Sequence, residues 1–325
     1  MKLPRRQFLR LAVGATALSV ATRAAMAQAY PSRVIHLIIG FTPGAATDIV
    51  GRLLARGAGP VLGQDIVVEN KPGAGSRIAA QYVARAAKDG YTLFVPPLSA
   101  FTNDIINPAP ALDMSRDFAP IALLANGTVV LVVNPGTKVR SVAELIALAK
   151  SKPGEVLYGS VGAGSLPHLC AELFAQRAGL KLMHVPYPGS PQVTTDLIAG
   201  RITMGFNIFS AMVGQIASGD LTALATAANK RSSALPDVPT MAEAGMPDFD
   251  TSLWIGLVAP AGTQRPLIDK LAAAARQAMH APDAVEMLRK QGFEPLDAGP
   301  DEFAAFIQSE IVRWSEVARA AGLRS

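Results

Sequence analysis

Cysteine is nearly missing from this chain: Cys170 is the single thiol in 325 residues, so no internal disulfide can form. Its neighbours, residues 165–173, place it on an apolar helical face, where a small buried side chain is expected. The four histidines, His36, His168, His184 and His280, are too scattered for metal-ligand spacing, and neither a metal nor any other cofactor is expected. No phosphate-loop Gly-Lys-Ser/Thr occurs. Gly73-Ala74-Gly75-Ser76-Arg77-Ile78 holds two glycines of a dinucleotide fingerprint, with Ile78 in the third place. The G-x-S-x-G spacing of a hydrolase elbow is absent as well. Ser165, His168 and Asp196 are the residue types of a triad, yet Ser165 and His168 share one helix start, where capping is the simpler role. These absences argue against an enzyme. After the N-terminus every apolar run is broken by Gly, Pro or charge, short of the roughly 20 residues a membrane span needs. No heptad array, low-complexity tract or sequence repeat is present.

Acidic residues are missing from the first 29 positions, which carry Lys2, Arg5, Arg6, Arg10 and Arg23. A short apolar stretch, residues 11–20, follows the basic head, and small residues satisfy an A-x-A rule at Ala25-Met26-Ala27 and Ala27-Gln28-Ala29. This is the layout of a cleavable export signal over residues 1–29, and Arg5-Arg6-Gln7-Phe8-Leu9-Arg10 resembles a twin-arginine head. A periplasmic protein is expected. Those five basic residues equal the formal charge of +5, so the mature chain is neutral. Without a dense basic stripe, nucleic acid is excluded as a partner.

What remains alternates strand and helix. The sequence predicts strands at 34–39, 65–69 and 91–95 with helices at 46–59 and 76–88 between them. A turn-rich stretch, 96–120, leads into a β-rich run, 121–133, and a helix at 141–150 that Ser141 and Glu144 open as a capping box. The alternation then repeats: strand 156–158, helix 165–178, strand 182–185, helix 191–199 and strand 202–206. Further β segments at 221–227 and 253–258 precede helices at 266–279, 282–291 and 301–320. Such alternation implies parallel sheets with right-handed crossovers, and two α/β units in one chain imply two lobes around a cleft.

Two loops have the chemistry to hold an anion. Gly40-Phe41-Thr42-Pro43-Gly44-Ala45-Ala46-Thr47-Asp48 joins a buried strand to a helix, offering first-turn N–H groups and the hydroxyls of Thr42 and Thr47. Asp48 either caps the helix, orients a water or holds a ligand amino or hydroxyl group. Tyr158-Gly159-Ser160-Val161-Gly162-Ala163-Gly164-Ser165 is richer still, with Ser160 and Ser165 as hydroxyl donors, Gly164 allowing close approach and Ser165 placed as N-cap. His168 supports that loop. Tyr187 and Asn207 end the two later strands and supply a hydroxyl and an amide. Arg77 is a candidate to attract or orient an acid.

Across these loops the sequence resembles the Bug/TctC family of extracytoplasmic solute receptors. The resemblance runs through GFTPGAATDIVGRLLA, VVENKPGAGSRIAA, YGSVGAGSLPHL, HVPYPGSPQVTTDLIAG, ALPDVPTMAEAGMPDF and WIGLVAPAGT, in order. It implies an α/β, two-lobed periplasmic binding protein fold with a hinge and an interlobe cleft. The implied ligand is a small organic mono- or dicarboxylate, and the implied partner is a membrane transporter or a sensory membrane protein. It also sets the two loops opposite one another and adds Leu98 and Ser99, within residues 97–103, to the ligand wall of Phe41, Thr42, Gly44, Ala46, Thr47, Asp48, Ser160, Gly164, Ser165, Tyr187 and Asn207. The expected division is 30–125 for the first part of lobe 1, 126–250 for lobe 2, and 251–325 for the return to lobe 1 with the C-terminal helices. Thr42 and Ala45 depart from the family's PPGG form, and Asn207 stands where an acidic group is common.

Overall fold

The computed structural model describes residues 30–98, 100–101, 112–228, 230–249, 251, 253–320 and 322. The expected export signal and Ser99 lie outside these residues.

β1 (Ile35–Ile39) carries Ile35, Leu37, Ile38 and Ile39 with no exposed surface, as a strand covered on both faces requires. It is flanked in parallel by β2 (Ile66–Asn70) and β3 (Thr92–Val95). α1 (Ala46–Leu62) links β1 to β2 and ends where Gly63 turns left-handed. α2 (Arg77–Ala84) links β2 to β3 and is shorter than the expected 76–88. β4 (Phe118–Gly127), β10 (Leu253–Pro260) and β11 (Phe293–Ala298) complete a six-stranded sheet in the order β11-β4-β10-β3-β1-β2.

The second sheet repeats the plan. β6 (Leu157–Ser160) is flanked in parallel by β7 (Met183–Pro186) and β8 (Met204–Ile208). β5 (Val129–Val133) and β9 (Thr222–Thr226) extend it to the order β7-β6-β8-β5-β9. Of its helices, α5 (Leu166–Ala178) joins β6 to β7 and α6 (Ser190–Ile198) joins β7 to β8. The capped α4 (Val142–Ser151) and α7 (Val213–Ser218) are the remaining helices between Val129 and Thr226, whereas α3 (Met114–Asp117), α8 (Arg265–Met279), α9 (Pro282–Lys290) and α10 (Pro300–Ala320) pack with elements of the first sheet.

Three elements depart from the sequence expectation. The run read as one β segment, 121–133, divides between the two sheets at Thr128, whose N–H donates to Gly292 O and whose carbonyl accepts from Phe209 N. β11 was not expected, because Glu294, Pro295 and Asp297 obscure its alternation, and its pairing to β4 is irregular between Pro295 and Ala298. α7 is too short to show a helical period. The chain returns to the first sheet near Ala227, whose carbonyl accepts from Thr251 N.

The C-terminal helix is clamped to the returning strand by a buried carboxylate. Glu310 Oε2 accepts from both Trp254 Nε1 at 2.8 Å and Trp314 Nε1 at 2.9 Å. Phe303 packs edge-on to Trp254, over Gly256, where a side chain would collide with its ring. Cys170 is fully buried, donates to Thr251 Oγ1 at 3.1 Å, and is pushed up to about 12 by burial. Among the described residues no helix is long and apolar enough to cross a membrane.

Candidate functional site

In each sheet the central parallel strand sends its following helix to one face, while the next crossover covers the other. Loops after β1 and β6 therefore emerge at topological switch points, where open α/β sheets place their ligands.

The first loop is pinned from below by Asp48, which is 2% exposed. Its Oδ2 accepts from Gly44 N and Arg52 Nε, each at 2.9 Å, and its Oδ1 from Asn70 Nδ2 at 2.9 Å. The Asn70 amide also holds Phe41 O at 2.8 Å. Burial opposes ionisation of Asp48, yet the bonds from Arg52, Gly44 and Asn70 outweigh it and hold the carboxyl below its ordinary range. Asp48 makes no cap bond to the start of α1; it fixes the loop instead, a role outside the three the sequence offered, with its charge met by Arg52. Gly44 is exposed with φ of 85°, Thr42 is exposed and Phe41 is half-buried. Ala46 and Thr47 are buried at the start of α1, which has no side-chain cap, and Thr47 Oγ1 has no hydrogen-bond partner. Leu98 is buried beyond the end of β3.

The second loop is built on a ring stack. His168 and His184 lie parallel with centroids 4.1 Å apart, and Tyr158 stacks on His184 at 5.0 Å. Gly164 N donates to His168 Nδ1 at 3.0 Å, which fixes the proton on Nε2 of a neutral ring. Ser160 Oγ lies 2.6 Å from His184 Nε2 and accepts from Gly162 N at 3.1 Å. The Tyr158 hydroxyl donates to Glu172. Burial lowers both imidazoles to about 4, His184 also through its neighbour His168 and against the pull of Glu172. His168 thus supports the loop as the sequence suggested, and His184, which sequence reasoning passed over, is its counterpart on β7.

Ser165 corrects an expectation. It occupies the N-cap position of α5, but its hydroxyl makes no cap bond and donates to Gly162 O at 2.7 Å instead. The Tyr187 hydroxyl donates to Asp196 Oδ2 at 2.8 Å, and burial and then that bond raise it to about 12. Asp196 is in turn paired with Arg201 at 2.8 Å, so it forms no triad with Ser165 and His168. Asn207 is 1% exposed near the end of β8, and its Nδ2 is unpaired. Arg77 opens α2, half-buried, directly after Ser76.

Ser76 escaped the sequence reading. It is fully buried, has φ of 78°, and its hydroxyl has no partner. Nothing in a lone serine signals a left-handed backbone, although the flanking Gly-Ala-Gly marks a sharp turn. Among the described residues, the buried side-chain nitrogens and oxygens lacking a partner are Thr47 Oγ1, Ser76 Oγ and Asn207 Nδ2. Thr47 opens the helix that follows β1, Ser76 lies against Gly40 just past β1, and Asn207 is near the C-terminal end of β8. A cavity of about 500 Å³ elsewhere, lined by Leu123, Ala272, Arg276, Leu296, Asp297 and Pro300, contains no residue of the two candidate loops, and its Arg276 and Asp297 pair with each other at 2.6 Å. The loops, with the unpaired polar atoms of Thr47, Ser76 and Asn207 at the same strand ends, are the better site.

Two α/β lobes joined by strand crossings, each opening a loop cluster at its switch point, define a two-lobed periplasmic binding protein. The architecture is shared with an R. palustris protein, Rpa4515, with adipate: TM-score 0.85 and 33% identity, covering 90% of this chain and 98% of that one. It is shared too with MatC from Rhodopseudomonas palustris with bound malate, at TM-score 0.81 and 31% identity, covering 89% and 99%. BugT of Bordetella pertussis is 38% identical over 300 residues, covering 92% of each chain. The sequence profile of the tripartite tricarboxylate transporter family receptor matches residues 50–323. The chain belongs to this Bug/TctC family of periplasmic, non-catalytic solute receptors.

Proposed function

We propose that this receptor closes its lobes on a small mono- or dicarboxylate and presents it to the membrane components of a tripartite transporter. The observation that carries the reading is the set of unpaired buried donors at the strand ends of both sheets. An unsatisfied buried polar group costs about 1–3 kcal/mol, so such groups are retained where a bound state satisfies them. Hydroxyls, an amide and loop N–H groups suit a carboxylate because they add no competing negative charge, and Asp48 is already neutralised by Arg52. The solved relatives with adipate and malate support the same ligand class.

In this reading the Phe41–Asp48 loop and the Tyr158–Ser165 loop face one another across the cleft, with Phe41, Thr42, Gly44, Ala46, Thr47, Leu98, Gly164 and Ser165 forming the wall and Asn207 donating from the second lobe. Asp48, Ser160, His168 and Tyr187 shape it, and Arg77 draws the acid in. The lobes divide as 30–125 with 251–325, and 126–250. Each charge-assisted contact contributes about 1.5–3 kcal/mol before desolvation and ordering are subtracted, and closure follows because the ligand binds the closed state more tightly. Calorimetric titration with malate, adipate, citrate and benzoate tests the reading; no saturable response to any of them rejects it. Asn207→Ala is expected to weaken the bound acid about 10-fold, the equivalent of one such contact, with no loss of apo stability because its Nδ2 has no partner to lose. Unchanged affinity would remove Asn207 from the site.

Export through a signal cleaved near residue 29, by the twin-arginine route, fits the basic head and the A-x-A positions. A reporter fused to residues 1–35 should stay inside cells lacking that route; normal export there would refute this part.

A further inference from the structure

We propose that Ser76 is a direct ligand donor that helps set the receptor's specificity, its hydroxyl bonding a carboxylate oxygen at the base of the first loop; this rests on the carboxylate reading above. Gly40 follows β1 and opens the first loop, and it is buried. A Cβ there would overlap the Ser76 hydroxyl, so the serine fills the space that the glycine leaves and reaches the base of the loop. Two independent features make the serine hard to explain by packing alone.

One is its backbone. Gly73, Ala74, Gly75 and Ser76 have φ values of 132°, 48°, 62° and 78°, a left-handed turn closed by Ser76 N donating to Gly73 O at 3.0 Å. A glycine at 76 would adopt this conformation without the steric conflict that a Cβ brings. The other is its hydroxyl, which has no exposed surface and no partner. Serine therefore carries two penalties at this position, and glycine would carry neither. Residues held in strained conformations with unmet polar atoms persist where a bound state uses them. Thr47 Oγ1, the other unpaired hydroxyl of this lobe, sits at the start of the helix that leaves the same loop. The pair gives the first lobe two neutral donors, matching the amide of Asn207 in the second.

The test separates stability from affinity, using the full mature chain and whichever of malate, adipate, citrate and benzoate it binds most tightly. Ser76→Gly should raise the apo melting temperature by about 2 °C, since it removes the strain and the unmet hydroxyl together. The same variant should bind the acid about 10-fold more weakly. Ser76→Ala keeps the Cβ and the left-handed strain while removing the oxygen, and should lose affinity to the same extent. Equal affinity in Ser76→Gly and the unmodified chain would overturn the proposal while leaving the receptor reading intact. A loss in one variant only would also overturn it, because the backbone rather than the hydroxyl would then be responsible. If the unmodified chain binds none of the acids, the carboxylate reading fails and this assignment falls with it.

Discussion

Asp48→Ala should lower the stability of the first lobe by about 3 kcal/mol and weaken acid binding at least 10-fold, although its carboxylate need not touch the ligand. The carboxylate collects three donors from three places: Gly44 N in the loop, Arg52 Nε one helical turn on, and Asn70 Nδ2 at the end of β2. Hydrogen bonds to a charged acceptor contribute about 1.5–3 kcal/mol each. The sum is reduced because Arg52 is half-exposed and can turn to water, and because Asn70 keeps its bond to Phe41 O. What is lost outright is the strut that fixes the loop's N–H groups relative to the strand. Asp48→Asn should recover little, since its NH2 would meet other donors. Urea unfolding followed by a probe in the first lobe measures the effect. A loss under about 1 kcal/mol in Asp48→Ala would show that the loop holds its shape without this carboxylate.

The same residues show how far the sequence could be read. The two parallel units were legible because strands such as Ile35–Ile39 are apolar at every position but His36, and glycine-rich turns lead from strand to helical period. Both candidate loops were legible for the same reason, since small residues before a helix start are a local signal. The partners that give a polar residue its role are not local. Asp48 offered three roles in the sequence, and only the fold brings Asn70 to it from 22 positions away. Tyr187 follows a strand end, and the sequence does not reveal that its hydroxyl donates to Asp196, nine positions on. His184 looked like an ordinary strand residue because its function is to face Ser160 across neighbouring strands. Ser165 held the predicted cap position but not the predicted bond, because Gly162 O lies within reach of its hydroxyl and competes for it. Position is encoded locally; hydrogen-bond partnership follows from strand order.

Acidification should weaken the second lobe over the window from about pH 6.5 to about pH 4, beginning well above the carboxylate range. Burial lowers His168 from 6.5 to about 4, and burial together with its stacked neighbour does the same to His184. Within that window the unfolded chain binds protons that the folded chain refuses, so stability falls as pH falls and the loss is complete near pH 4. For His168 alone the shift corresponds to about 3 kcal/mol at 1.36 kcal/mol per pH unit. His184 acts in the same direction, and with the rings 4.1 Å apart a proton on one resists a proton on the other. Protonating His168 also removes the acceptor of Gly164 N, so the second loop loosens as its ring becomes charged. Asp48 adds its own loss lower down, because its depressed carboxyl gives stability that is present above 3.8 and disappears as pH falls through its folded value. Urea midpoints at pH 7.5, 6, 5 and 4 should therefore fall steadily, and imidazole NMR signals of both histidines should titrate near 4. His168→Leu should be less stable than the unmodified chain at pH 7.5, having lost the Gly164 bond, and its curve should converge with the parent's at pH 4 because the titrating ring is gone. Histidine signals titrating near 6.5, or midpoints unchanged between pH 7.5 and 4.5, would show that the stack is open to water and that the loop does not depend on its neutrality.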